Sequence, residues 1–192
     1  MHEAQLHERN SFVTLTYDEE HLPPDGGLRY RDFQLFMKRV RKRFPGTRFY
    51  MCGEYGDLHK RPHYHAALFG LAFDDQVAIG RSAAGSVIYR SDLLSSLWLD
   101  GHSSVGELTR ESAAYIARYV IKKLSGPPAQ TAYSRVDADT GEVFQVMPEF
   151  TRMSLKPGIA ARWVERYHAD VYPTDRINTN GRLRKPPRYY LS

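Results

Sequence analysis

The chain has 192 residues, enough for one domain with its own core, and 42% hydrophobic with 26% charged residues is ordinary for a globular protein. No run approaches the roughly eighteen apolar residues of a membrane span, and residues 1–10 are polar, without the apolar core of a signal peptide. The single cysteine, Cys52, excludes an intrachain disulfide and a Cys-rich zinc module and fits a reducing cytoplasm. The net charge of +5 is unevenly distributed. Lys38, Arg39, Arg41, Lys42 and Arg43 form one cluster, and the basic stretch 176–192 carries Arg176, Arg182, Arg184, Lys185 and Arg188 with no acid. Clustered cations beside aromatics such as Tyr189 and Tyr190 suit a polyanion.

In chain order, Phe12 to Tyr17 is β-branched and aromatic and predicts a strand. Pro23 to Gly27 is a turn. Phe33, Phe36, Met37, Val40 and Phe44 recur at helical spacing, and Pro45-Gly46 ends that helix. Arg48–Gly53 and His63–Phe69 predict two further strands, with residues 56–60 connecting them. The stretch 70–85 gives no clear pattern. Asp92–Leu99 reads as a short helix and His102–Leu108 as a strand. Thr109 caps a helix that runs to about Leu124, with Glu111 in its first turn. Tyr133–Val136 and Val143–Val146 read as a hairpin. Pro157 is expected as the first residue of a helix reaching His168. Mixed elements without regular alternation predict a single α+β domain with a mainly antiparallel sheet and flanking helices.

Two segments carry chemistry. In a strand, residues i and i+2 face one side, so His63 and His65 point together, away from Tyr64. Glu54 shares a side with Cys52 and Tyr50 on the preceding strand, and pairing of the two strands brings it to the histidines. Two imidazoles and a carboxylate suit a divalent cation and leave positions for water or phosphate oxygens. Cys52 is too soft a donor for Mg²⁺ or Mn²⁺ and is read as core. The second segment is the helix. Ala113, Ile116, Ala117, Val120 and Leu124 trace an apolar stripe, and Tyr115, Tyr119 and Lys122 fall on nearly the opposite face. Arg118 and Lys122 follow the two tyrosines at three-residue spacing, where a cation favours the phenolate. A tyrosine that attacks a phosphate beside a metal that polarises it is the chemistry of a DNA-nicking enzyme.

These motifs resemble those of the HUH endonucleases, and in particular the two-tyrosine replication initiators of microviruses. His63-Tyr64-His65 is similar to their central motif, Tyr115 to Lys122 fits Y-x-x-x-Y-x-x-K, and Phe12 to Thr16 is similar to their F-x-T-L-T strand. Gly53-Glu54-Tyr55-Gly56, Arg61-Pro62, Met153-Ser154, Pro157-Gly158-Ile159 and Pro187 to Tyr190 resemble the microvirus form. The resemblance implies a five-stranded antiparallel sheet backed by helices, related to RNA-recognition domains, and a nicking domain trimmed at its N-terminus. It implies that Glu54, His63 and His65 bind Mg²⁺ or Mn²⁺, that Tyr115 and Tyr119 are nucleophiles, and that Lys122 assists at the phosphate. Arg61, Arg118, Lys123, Lys38, Arg41 and Lys42 are expected at the DNA backbone. The implied partners are single-stranded origin DNA and a host helicase and polymerase in the bacterial cytoplasm, with no membrane. A related transposase or relaxase, and a non-catalytic single-strand-binding domain, are the competing readings.

Overall fold

The computed structural model describes residues 1–56, 60–122, 132–136, 140–172, 174–179 and 181–191. The elements in order are β1 (Asn10–Tyr17), α1 (Tyr30–Arg43), β2 (Arg48–Tyr55), β3 (Pro62–Phe69), β4 (Val77–Arg81), β5 (Val87–Arg90), α2 (Asp92–Leu97), β6 (Gly101–Gly106) and α3 (Arg110–Lys122). They continue with β7 (Ser134–Val136), β8 (Val143–Gln145), β9 (Phe150–Met153), α4 (Ala161–Val171), β10 (Ile177–Thr179) and β11 (Arg182–Arg184). The α+β expectation holds. The main sheet is antiparallel in the order β4-β5-β6-β1-β3-β2-β9, and β7–β8 and β10–β11 are separate hairpins. It therefore has seven strands where five were expected. The surplus includes β4 and β9, which the sequence hid for different reasons. β4 is an edge strand exposed at every position, so it needs no buried apolar face. β9 is too short to establish an alternation.

Residue parity sorts the sheet into two faces. Val13, Leu15 and Tyr17 of β1, Phe49 and Met51 of β2, and Tyr64, Ala66 and Leu68 of β3 join the main core. Phe33, Phe36, Met37 and Val40 of α1 and Leu94 and Leu97 of α2 pack against them. The spacing 33, 36, 37, 40 makes one stripe of α1, which buries all four side chains. The chain after α1 turns through Gly46 at φ 84°, a conformation that a Cβ disfavours. The other sheet face holds a smaller cluster, Cys52, Ala67, Phe69 and Ile116, with Phe12 and Tyr115 packed on it. So α1 lies behind the sheet and α3 in front, on the face to which His63 and His65 point.

The α3 start is capped as predicted. Ser112 N–H donates to Thr109 Oγ1 (3.2 Å) and Thr109 N–H to Ser112 Oγ (2.9 Å), a reciprocal arrangement that satisfies two otherwise orphaned donors. Helix α2 stops at Leu97 because Trp98 turns into the core, where its Nε1 donates to Thr16 O (3.2 Å). The helix expected from Pro157 begins at Ala161 instead, after Ala160 in the left-handed region. Buried Glu3 ties the N-terminal turn to this region, accepting from Arg48 Nε (2.5 Å) and the Ala160 N–H (2.5 Å). Among the described residues no helix is long and apolar enough to cross a membrane.

Candidate active site

The site is a consequence of register. β3 lies between β1 and β2, and its antiparallel pairing sets Thr16 and Glu54 opposite His63, and Thr14 and Cys52 opposite His65. Directly opposed residues project from the same face, so three strands deliver these six side chains to one side of the sheet. Thr14 Oγ1 hydrogen-bonds His65 Nδ1 (2.9 Å) and Thr16 Oγ1 hydrogen-bonds His63 Nδ1 (2.8 Å). Each ring is thereby anchored through Nδ1. Anchoring at one ring nitrogen fixes how the imidazole presents the other, Nε2. The sequence reading passed over these threonines, although their i, i+2 spacing in Phe12-Val13-Thr14-Leu15-Thr16 was the available signal.

Glu54 is the hub. Its Oε1 lies 2.7 Å from His65 Nε2 and accepts the Tyr115 hydroxyl at 2.7 Å, and the His65 and Tyr115 rings meet edge to face at 5.0 Å. An ionised carboxylate only accepts, so with a neutral imidazole His65 carries its proton on Nε2 and accepts from the Thr14 hydroxyl. Glu54 is 4% exposed, and its Oε2 has no hydrogen-bond partner among the described residues. Burial lowers the His63 pKa, His65 lowers it further, and Glu54 opposes both, so His63 stays neutral at neutral pH. Burial first, and then the Glu54 charge, push the Cys52 thiol up, which keeps it a core group as read from the sequence.

A cleft of about 220 Å³ opens over this set, lined by Thr14, Thr16, Glu54, Tyr55, Gly56, His63, His65 and Tyr115. Gly56 keeps it open: a Cβ there would sit 2.8 Å from His63 Nε2. Among the described residues no three His, Cys, Asp or Glu side chains converge in metal-binding geometry. The donor chemistry nevertheless fits a small divalent cation. Two imidazoles anchored at Nδ1 face the same side as a buried carboxylate with one unsatisfied oxygen, a group that costs free energy until something pairs with it. Such an ion would take the place of the His65 Nε2 proton, and the Thr14 hydroxyl can then accept as readily as it donates.

Helix α3 sits differently from its predicted stripe. Ile116 is fully buried, Tyr115 is half-buried on the sheet, and Ala117 is exposed. The helix is turned so that Tyr115 faces the carboxylate. An exposed alanine costs little, whereas the phenol gains both packing and a charged acceptor. Tyr119 follows one turn later in α3 and Lys122 ends it. Their side chains, and the whole of Lys123, lie outside the described residues.

The expected DNA-contacting cations separate into two layers. Arg118 is exposed on α3, beside the cleft. Arg61 donates to Tyr17 O (2.9 Å) and pairs with Glu19 at the strand ends next to the site. Lys38, Arg41 and Lys42 belong to α1, behind the sheet, and the fold does not bring them to the histidine face. Arg41 is further engaged by Thr47 O (3.1 Å) and Ser154 Oγ (3.3 Å) and lies over the Phe49 ring.

Residues 10–124, which contain every element of this site, match the model of the replication-associated protein ORF2 family. The chain is 34% identical over 98% of its length to the replication-associated protein VP4 of Bdellovibrio phage phiMH2K, covering 59% of that protein. It is 32% identical over 94% of its length to the replication-associated protein ORF2 of Spiroplasma virus 4, covering 56% of it. A third similarity, 38% identity over 63% of the chain, is to the replication-associated protein ORF4 of Chlamydia phage 1, of which it covers 32%. The chain thus spans little more than half the length of the first two relatives. No solved structure matches. With its microvirus-like motifs falling inside the matched region, the chain belongs to the replication-associated protein ORF2 family.

Proposed function

We propose that this chain is the nicking domain of a rolling-circle replication initiator of a small single-stranded DNA phage, cutting and rejoining origin DNA through a covalent tyrosine link. The observation that carries this reading is the Tyr115 hydroxyl held on the same carboxylate oxygen as His65. It joins a nucleophile to the metal-type donor set. Membership of a replication-associated family supports it.

Glu54, His63 and His65 would hold Mg²⁺ or Mn²⁺, which supplies Lewis-acid polarisation of a phosphate oxygen. Glu54 Oε1 accepts the Tyr115 hydroxyl and so aims its oxygen into the cleft. The Tyr115 oxygen attacks phosphorus in line as the bond to the 3′ oxygen breaks, leaving a 5′-phosphotyrosine and a free 3′-hydroxyl. Lys122 serves at the phosphate or leaving oxygen, and Tyr119, one turn on, provides the second attack that releases and rejoins a unit circle. Arg61, Arg118 and Lys123 contact the DNA backbone, an attraction that weakens with salt. The free 3′-hydroxyl is extended by a host polymerase with a host helicase in the bacterial cytoplasm.

The test is incubation with a single-stranded origin oligonucleotide and Mn²⁺. A covalent adduct on a denaturing gel is expected, and it disappears in the Tyr115→Phe/Tyr119→Phe protein and in His63→Ala/His65→Ala. An adduct that persists without both tyrosines would falsify the nucleophile assignment. Metal-independent binding with no cleavage would favour a single-strand-binding domain.

A further inference from the structure

Next to the cleft lies a second, larger groove of about 410 Å³, bounded by the β4–β5 hairpin, β6 and α3. The two share Thr14, His65 and Tyr115 in their walls, so they are continuous. The floor is Phe12. Its cross-strand neighbours on β1's two flanks are Gly106 and Ala67, residues too small to cover the ring. Phe12 also lies nearly parallel to the His65 ring, with centroids 5.7 Å apart and planes at 15°. Val87 and Ile88 of β5 supply one apolar wall, and Ser112, Tyr115 and Arg118 supply the helical one.

The charges in this groove are unlike those of a phosphate track. Glu107 and Glu111 line it, and Arg118 is its one cation among the described residues. Carboxylates repel phosphate but accept hydrogen bonds from base amino groups. A flat aromatic floor, apolar walls and acceptor carboxylates therefore fit an unstacked base, whose face packs on Phe12 while its edge meets the acids.

We propose that this groove is a nucleobase subsite, selective for a base that carries an exocyclic amine, which seats one nucleotide next to the cleft. Continuity through His65 and Tyr115 places that nucleotide's phosphate beside Glu54. The inference rests on the reading of the adjoining cleft as one that takes single-stranded DNA, but not on cleavage.

The test uses the whole chain in EDTA with a pool of random single-stranded 12-mers, from which bound DNA is recovered and sequenced. The expected wild-type result is enrichment, about tenfold, of an amine-bearing base over thymine at one position, the discrimination one good base contact gives. Gly106→Leu fills the groove, since a Cβ there meets only Phe12 at 3.6 Å, and should abolish the enrichment. Glu107→Gln/Glu111→Gln, which changes only exposed side chains, should cut it by a similar factor, with circular dichroism confirming the fold of each variant. Unchanged enrichment in the groove variants, a preference for thymine, or no preference at any position overturns the proposal. Failure of the nicking reading is separately visible: wild-type protein then forms no adduct with any oligonucleotide and Mn²⁺, while the groove-dependent base preference persists.

Discussion

Tyr115 and His65 meet at a single oxygen of Glu54, each 2.7 Å away, although they come from a helix and a strand fifty residues apart. This shared acceptor ties the nucleophile to the donor set before any DNA is present, and removing either donor has consequences that can be measured.

Tyr115→Phe deletes a hydrogen bond to a buried carboxylate while keeping the ring that packs on His65. The expected loss is about 1–2 kcal/mol of stability, because hydrogen bonds to charged groups are the stronger class. Thermal or urea unfolding in EDTA checks it. The adduct mapped by mass spectrometry to residue 115 in the wild type should be absent, and any remaining adduct should map to Tyr119.

Thr14→Val and Thr16→Val remove the Nδ1 partners of His65 and His63 and nearly preserve side-chain shape. Loss of a hydrogen bond that orients a metal-binding imidazole typically costs about 10–100-fold in affinity. Isothermal titration with Mn²⁺ should show weakening in that range for each variant. Affinity equal to wild type would mean that the rings are not held through Nδ1 for this purpose.

His63 sets a pH dependence whose sign follows from its burial. Its folded-state pKa lies below the ordinary 6.5, so on acidification the unfolded chain takes up the proton first. The stability contributed by neutral His63 is present above pH 6.5 and is lost as pH falls through the folded pKa. In metal-free buffer, His63→Gln should therefore flatten the decline of unfolding free energy below pH 6.5. The slope difference is at most about 1.4 kcal/mol per pH unit, the limit for one proton.

Arg118 and the α1 cations should behave differently with DNA. Arg118→Ala should weaken binding to single-stranded DNA and reduce the salt slope by about 0.7, the value for one phosphate contact on a single strand. Lys38→Ala/Lys42→Ala, behind the sheet, should leave both unchanged. Fluorescence anisotropy across a salt series separates the two cases.

Gly101 opens β6 at φ 140°, and a Cβ there would lie 2.2 Å from Asp18 N and 2.5 Å from Thr16 O. Neither is a side-chain tip that can swing away. Gly101→Ala should cost about 3 kcal/mol, from backbone strain plus displacement of β1 against β6. Because Thr16 holds His63, Mn²⁺ binding should weaken together with stability.

The sequence by itself determined the parts that depend on local periodicity. Alternation placed His63 and His65 on one face, the 33, 36, 37, 40 spacing built α1, and Thr109 capped α3. Tertiary structure alone decided how those parts meet. Pairing register, set by which faces the helices bury, brought Thr14 and Thr16 to the imidazoles. Packing of α3 turned Tyr115 toward Glu54, against the apolar stripe that its sequence suggested, because a phenol with a charged acceptor outweighs the burial of one alanine methyl. The assignment of α1 to the back layer was likewise invisible along the chain, since a basic run looks the same on either side of a sheet. Contacts between strands and helices far apart in sequence are set by the shape of the whole core, which no single stretch encodes.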